Sequence, residues 1–472
     1  MKFQPKAERG AVAIEFIKGT LSRFDGTTLS VPFGETKPLS RRKFVLQMRK
    51  VIALAKQNKI KSIAVDFKDI KALAPKEFTD NEVGKITAIA FVMAGYEHTT
   101  YKTRAKDAYA GVEVVAVLNT PEPAKREGFW IGEQIAVGVN AARELSNTPG
   151  GDMTPQKLAA AAKAAAKASG AGAKLTVKVL GRKEMQKLGM GAVLGIAKGS
   201  IEEPQFIVME YWGAGRHGVS TKPVVLVGKG VTFDTGGLQI KPGDHMYEMH
   251  MDMSGGAAVI NTIALAAKLK LKANVVALVP AVENAASGSA VRPGDILKSL
   301  SGKTIEILHT DAEGRVILAD AIHYAKRYNP AIVVDVATLT GAALVALGEQ
   351  ASAVMMRPAE PKNVMEMLDL AEQSGDYVWP MPLWEEYDDM VKGKFGDVPN
   401  ISTAGNSRYG GVIAGGKFLE VFAKELGCPW VHIDMAPKMT AAPNEFLAKG
   451  AAGAPVRLLL AIVDHYANHP AR

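Results

Sequence analysis

The stretch His309-Thr310-Asp311-Ala312-Glu313-Gly314-Arg315 sets two carboxylates and a guanidinium at alternate positions. Oxygen ligands of this kind collect divalent cations such as Mg and Mn and, with a nitrogen ligand, Zn. A guanidinium beside them can hold a small anion bidentately. Upstream, Val227-Gly228-Lys229-Gly230-Val231-Thr232-Phe233-Asp234-Thr235-Gly236-Gly237 adds an amine and a third carboxylate, Lys241 follows, and Met251-Asp252-Met253-Ser254-Gly255 adds a fourth. Four carboxylates closed in one pocket repel one another and raise their own pKa values. Two divalent cations would balance that charge, and a paired-metal site activates a shared water while polarising a carbonyl. Lys229 must be a neutral amine to ligate, and adjacent cations lower its pKa. If Lys241 instead stays protonated, it can stabilise the charge that develops on a tetrahedral intermediate.

Each of these residues falls at the end of a regular element. The apolar run 224–227 reads as a buried strand ending in a Gly-rich turn that carries Lys229 and Asp234. Asp252 precedes the apolar-periodic run 257–269, and the 309–315 block precedes a helical run over 317–327. Open parallel sheets place their ligands at such ends. Strand-like runs at 175–180, 206–211, 224–227, 274–279, 331–336 and 430–434 alternate with helices, which is an α/β pattern with a largely parallel central sheet. The earlier chain alternates too, with strands at 62–67 and 114–118 and a helix at 42–57. A helix over 132–146 is broken by Asn147-Thr148-Pro149-Gly150-Gly151, the best linker. Two α/β domains follow, each with a mostly parallel sheet flanked by helices: residues 1–150, with a linker helix at their end, and a larger catalytic domain, 151–472. Thr154-Pro155 opens the next helix as N-cap and first-turn proline, and the Ala-rich stretch 158–167 is a scaffold helix rather than a disordered tract.

The composition is that of an ordinary soluble globular protein, and 472 residues allow two domains or more. A single cysteine, Cys428, excludes an intramolecular disulfide framework. The start, MKFQPKAERGAVAIEF, lacks the apolar core of a signal peptide, and no run approaches the roughly 20 apolar residues of a membrane span. The cytoplasm is the expected location, with no membrane partner. Net charge is +9, but the basic residues are dispersed apart from Arg41-Arg42-Lys43 and 102–106. No aromatic-interleaved stripe accompanies them, so nucleic acid is only weakly supported as a partner. Steep salt dependence of duplex binding would be its signature. A phosphate loop is excluded because Lys229 is followed by glycine and the motif spacing fails. His-Glu-x-x-His is absent, and none of the nine histidines is assigned to metal.

These blocks together resemble the cytosolic leucyl aminopeptidase family of dinuclear metallo-exopeptidases. The likeness runs from about 147 to 460 and is strongest over 227–341. HTDAEGRV is close to the family's NTDAEGRL, and VGKGVTFDTGG, IKP, DMSG and DVATLTG keep its order. The resemblance implies that Lys229, Asp234, Asp252, Asp311 and Glu313 are metal ligands, Asp234 and Glu313 bridging. It implies that Lys241 and Arg315 are catalytic, with Gly314 and Arg315 at a bicarbonate that serves as general base. Met249, Thr338, Leu339, Gly341, Ala436 and Met439 would contact the first side chain of the substrate. The metals implied are Zn or Mn, with Mg or Co as alternatives, and the assembly a homo-hexamer. The activity implied is release of N-terminal residues, apolar ones such as Leu foremost, from peptide substrates. A dipeptidase using the same site, for instance on Cys-Gly, is the alternative, and a nucleic-acid-binding protein is the alternative of another class.

Two departures stand out. Pro437 stands where the family has Gly, which alters the pocket shape, and His309 stands where it has Asn. His309→Asn is therefore expected to shift metal affinity or the pH optimum without abolishing activity. A metal titration and a pH-rate profile that both stay unmoved would end that expectation.

Overall fold

The strand Val224–Gly228 is buried along its whole length, as a parallel strand covered on both faces by helices must be. Around it the computed structural model, which describes residues 1–103, 109–122, 124–215, 222–405 and 409–469, builds a nine-stranded sheet. Residues 104–106 of the second basic cluster lie outside the described residues. The order across the sheet is Val378–Pro380, Ser352–Arg357, Trp430–Asp434, Ile332–Ala337, Val224–Gly228, Asn274–Asn284, Gln205–Trp212 and Leu175–Leu180, with Gly230–Asp234 pairing onto Asn274–Asn284. The four central strands run parallel. Gln205–Trp212 and Ser352–Arg357 beside them run the opposite way, and Leu175–Leu180 turns back to the central direction, so the unbroken parallel character belongs to the centre of the sheet, where the candidate ligands cluster at the strand ends.

Two helices sit hard against this centre. Ser254–Lys268 is buried from Ser254 to Ala267. Its small residues let it lie almost on the strands: a Cβ on Gly255 would stand 2.2 Å from the Val336 carbonyl. Glu313–Ala325 is buried almost throughout.

Two further differences from the sequence reading bear on the site. The second helix starts at Glu313 rather than near 317, so Glu313 is its first residue and Arg315 lies in its first turn. Helical rotation, not strand-like alternation, sets where Glu313 and Arg315 point, while Asp311 lies in the turn before the helix. A carboxylate is favourable at a helix N-terminus, and a polar first turn carries no apolar period to reveal it. Likewise Gly230–Asp234 is a strand rather than a turn. Val231, Thr232 and Phe233 favour extended backbone, while the flanking glycines mimic loop composition.

The chain divides into two units. One comprises Met1–Asn140 with the late segment Ala441–Lys449, the other Ala141–Thr440 with the chain from Gly450 onward. The first holds a six-stranded sheet in the order Lys2–Gln4, Val114–Leu118, Ser62–Asp66, Val12–Ile17, Thr28–Pro32, Arg23–Phe24. Only the last pair is antiparallel. The helices Arg41–Gln57 and Asp80–Gly95 pack in its core, the latter opened by a Thr79–Glu82 capping box. In the second unit Thr154 caps Pro155–Ser169, its hydroxyl accepting from the Lys157 N–H. A separate three-stranded sheet joins Ile296–Lys298, Thr304–Glu306 and Val398–Pro399. No described helix is long and apolar enough to cross a membrane.

Asp320, fully buried, ties this architecture together. Its carboxylate accepts from the N–H groups of Ala192 and Val193 at 3.0 Å and of Leu300 at 2.7 Å. Asp320→Ala should orphan all three donors and lower the unfolding free energy by about 3 kcal/mol. Urea denaturation measures that loss, and a change below about 0.5 kcal/mol would contradict the role.

Candidate metal centre

Lys229 sits between two strands of the sheet, pinned by its N–H to the Val336 carbonyl at 2.9 Å. Its side chain is buried, and Nζ lies 2.8 Å from Asp252 Oδ2, 2.8 Å from Glu313 Oε1 and 3.0 Å from the Thr338 carbonyl. Nothing larger than glycine fits at 314, since a Cβ there would come 2.6 Å from Lys229 Cε. Asp234 ends the neighbouring strand and pairs with Lys241 at 2.8 Å; Lys241 also pairs with Asp311. The turn returning from Asp234 to Lys241 uses Gly236 and Gly237 at φ +87° and +70°, a backbone region nearly closed to other residues. Lys229, Asp234, Lys241, Asp252, Asp311 and Glu313, drawn from three stretches of sequence, thus meet in one buried cluster.

The electrostatics are those of crowded carboxylates. Burial, with Glu313 and Asp234 nearby, pushes Asp252 well above the usual carboxylate range against the pull of Lys229. Burial and the same kind of crowding from Asp234 and Glu313 raise Asp311 to about 7. For Lys229 burial alone would favour the neutral amine, yet Asp252, Glu313 and Asp234 outweigh it and hold the ammonium above its ordinary pKa. Lys241 is raised too, its burial outweighed by Asp234, Glu313 and Asp311. Without cations, then, two ammonium groups supply the positive charge that the carboxylates demand.

The residues fit divalent cations. Oxygens of Asp234, Asp252 and Glu313 lie within 4.8 Å of one another, and Glu313 Oε2 is buried with no hydrogen-bond partner. Hard oxygen donors of this kind, with one amine available, match Mn, Mg or Zn. Arg315 Nε is also buried and unpartnered. Burial lowers this guanidinium to about 10, opposed by Asp434 and Glu313, so a small anion would meet a donor with no competing bond.

Asn284, which carries no motif signal, and two threonines from the motif blocks hold this cluster in place. Asn284 donates to Asp234 Oδ1 at 2.7 Å and to the Thr310 carbonyl at 3.1 Å. The Thr310 hydroxyl donates to the Gly236 carbonyl at 2.6 Å, and the Thr338 hydroxyl to Asp252 Oδ1 at 2.6 Å. For Asn284 only the ordinary rule that buried ligands are themselves hydrogen-bonded points to such a partner, and it gives no position in the chain.

The residues expected to contact a substrate side chain fall at the ends of adjacent parallel strands. Asp434, fully buried, accepts from the N–H groups of Leu339, Thr340 and Ala436 and from the Thr340 hydroxyl. Those bonds tie the segment 338–341 to Ala436, and Met439 follows in the same short helical turn's C-cap. Thr338 is joined to Asp252 directly. Met249 opens the one-turn helix Met249–Met251 that packs beside Gly230–Asp234.

Behind them, His432 Nδ1 lies 2.5 Å from Asp335 Oδ1, both side chains fully buried, and the Trp430 indole N–H donates to Asp335 Oδ2 at 2.6 Å. Burial would lower the imidazole pKa, but Asp335 raises it above the usual value. A raised folded pKa adds stability that is complete below the unfolded histidine value and is lost as pH climbs through the folded one. Asp335→Asn should therefore cost about 1–3 kcal/mol near pH 5.5 and distinctly less at pH 9. Denaturation at the two pH values checks this, and an equal cost at both would refute it.

Comparison with known proteins gives the same region a family. Residues 140–460 match the catalytic domain of the cytosol aminopeptidase family. The chain is 48% identical over 328 residues to a probable cytosol aminopeptidase of Azoarcus sp. (strain BH72), covering 70% of this chain and 62% of that protein, less than two thirds of its length. It is 40% identical over 449 residues to a probable cytosol aminopeptidase of Saccharophagus degradans, covering 93% and 86%. Among solved structures it resembles the bottromycin maturation enzyme BotP in complex with Mn, with TM-score 0.84 and 28% identity over 97% of this chain and 100% of that one. It also resembles a mutant tomato leucine aminopeptidase, with TM-score 0.81 and 28% identity over 97% and 84%.

Proposed function

The chain belongs to the cytosol aminopeptidase family and is accordingly a hydrolase of the aminopeptidase class; from that premise we propose that it releases N-terminal residues, apolar ones foremost, from peptides at a dinuclear metal centre. The observation that carries this reading is the convergence of Asp234, Asp252 and Glu313 around a buried oxygen that has no partner. Lys229, Asp234, Asp252, Asp311 and Glu313 would hold two divalent cations, with Mn suggested by its presence in the BotP structure and Zn, Mg and Co as the other candidates. Such cations supply Lewis acidity and a water of lowered pKa.

The chain's own residues do the rest. Lys241, kept protonated by its carboxylate neighbours, places an ammonium where negative charge would develop on the scissile carbonyl oxygen. Arg315 would hold bicarbonate, whose chemistry is that of a general base, through the Nε–H that has no partner within the protein. The substrate's free α-amine would meet the cation held by Lys229 and the carboxylate of Asp252, so an N-blocked peptide lacks the group the site selects. Met249 and Met439 give an adaptable apolar wall for the first side chain, with Thr338, Leu339, Gly341 and Ala436 beside it. Cytoplasmic residence and a homo-hexamer belong to the same proposal.

Leucine p-nitroanilide is the substrate that tests it, first with chelated protein and then with Mn or Zn restored, beside its N-acetyl analogue. Metal-dependent release confined to the free amine is the expected result. No release from folded, metal-loaded protein would overturn the reading and favour a dipeptidase, for which Cys-Gly is the substrate to try.

A further inference from the structure

Asn400 is almost wholly buried, at 1% exposure, just past the end of the short strand Val398–Pro399. Its side-chain Oδ1 accepts from the Leu308 N–H at 2.8 Å and the His309 N–H at 3.1 Å. Nδ2 donates to the His309 carbonyl at 2.6 Å and to the Ala312 carbonyl at 3.3 Å. A primary amide has two acceptor sites and two N–H donors. All of them are spent on the backbone of 308–312, the segment that leads through Asp311 to Glu313. Asparagine is the residue this geometry asks for. Aspartate would set an oxygen against two carbonyls, and an apolar side chain would leave two donors and two acceptors buried without partners.

The amide is itself firmly mounted. The Asn400 N–H donates to the Glu306 carbonyl at 2.9 Å, and Val398–Pro399 pairs in parallel with Thr304–Glu306. Within the clamped segment the Ala312 N–H donates to the His309 carbonyl at 3.2 Å, and the Asp311 N–H to His309 Nδ1 at 3.2 Å. The segment is thus closed into a tight turn: Asn400 holds the backbone of 308, 309 and 312, while Gln239 accepts from the Thr310 N–H at 2.8 Å and Asn284 donates to the Thr310 carbonyl at 3.1 Å. The other side of the cluster has different supports: Lys229 hangs from Val336, and Asp252 is held by the Thr338 hydroxyl.

We propose that Asn400 is a positioning residue that sets the turn carrying Asp311 in its cation-binding shape before any cation arrives. It never touches the reacting atoms; it acts through the backbone of its turn. The idea rests on the metal-centre reading above and adds an asymmetry to it. Loss of Asn400 loosens the cation held through Asp311 and spares the one held through Lys229 and Asp252.

The test is a Mn titration of the metal-free, full-length protein, followed by calorimetry and by the electron paramagnetic resonance of free Mn, beside Asn400→Ala. Partners that orient metal ligands are worth about 10–100-fold in affinity. The wild type is expected to bind two ions. The variant should bind one of them at least about tenfold more weakly and the other within about a factor of two, by the spared supports on that side. A variant that melts earlier but keeps both affinities would overturn the proposal, since a purely structural residue predicts that outcome. A wild type that binds no Mn would instead sink the metal-centre reading itself. If Asn400→Ala does not fold, hydrogen exchange on the metal-free wild type decides: Leu308 and His309 amides protected like the central strands support a preformed turn, and exchange at open-loop rates overturns it.

Discussion

Glu313→Ala should abolish metal-dependent aminopeptidase activity, with a fall of about 10³-fold or more, while leaving the chain folded. Glu313 is the first residue of a buried helix, and its Oε2 has no partner within the protein. In the metal-free state Glu313 adds repulsion to Asp252 and Asp311, and although its Oε1 pairs with Lys229, that ammonium is still held by Asp252 and the Thr338 carbonyl in its absence. Its value lies in what it would coordinate. Several kcal/mol of transition-state stabilisation reside in a bound catalytic cation, which converts to the stated loss in rate. Metal content by atomic absorption, alongside hydrolysis of leucine p-nitroanilide, separates the outcomes. Loss of metal together with rate supports the ligand role, and a variant that keeps both its metal and its rate removes Glu313 from the centre. The circular dichroism spectrum should remain that of the parent.

Lys241→Met should behave in the opposite way toward metal. The ammonium lies 2.8 Å from Asp234 Oδ2 and pairs also with Asp311, so in the metal-free protein it competes with a cation for the same oxygens. Removing it should leave metal affinity unchanged or raise it. The rate is another matter. A preorganised charge aimed at a developing oxyanion is worth about 10²–10³-fold in kcat, and that loss should come with little change in KM. A variant that loses metal in proportion to rate would make Lys241 a ligand rather than a catalytic cation, and one that keeps its full rate would leave it no role at all. Methionine roughly matches the lysine stem, so the packing of this partly buried side chain is retained.

The two lysines show where the sequence stops being informative. Both stand in the same glycine-rich neighbourhood, and spacing alone gives them no different fates. Folding separates them. Lys229 is sealed beneath Gly314 among Asp252, Glu313 and the Thr338 carbonyl, while Lys241 returns over two left-handed glycines to face Asp234 and Asp311.

What the sequence by itself determined was the chemistry and the class of scaffold. Carboxylates, lysines and an arginine stood in it at the ends of apolar runs, and those runs became the strands Val224–Gly228, Ile332–Ala337 and Trp430–Asp434, because apolar periodicity is local and survives without tertiary context. Even so, the start of the helix at Glu313 and the strand Gly230–Asp234 escaped it, since glycine and charge obscure the period they interrupt. Only the tertiary structure decided which residues support the site. Asn284, Asn400 and Asp434 lie tens of residues from the groups they bond, and the segment Ala441–Lys449 joins a unit whose remainder ended three hundred residues earlier. A side-chain amide satisfies whichever backbone groups packing brings to it, and packing is set by the order of strands in a sheet, which no stretch of sequence read alone contains.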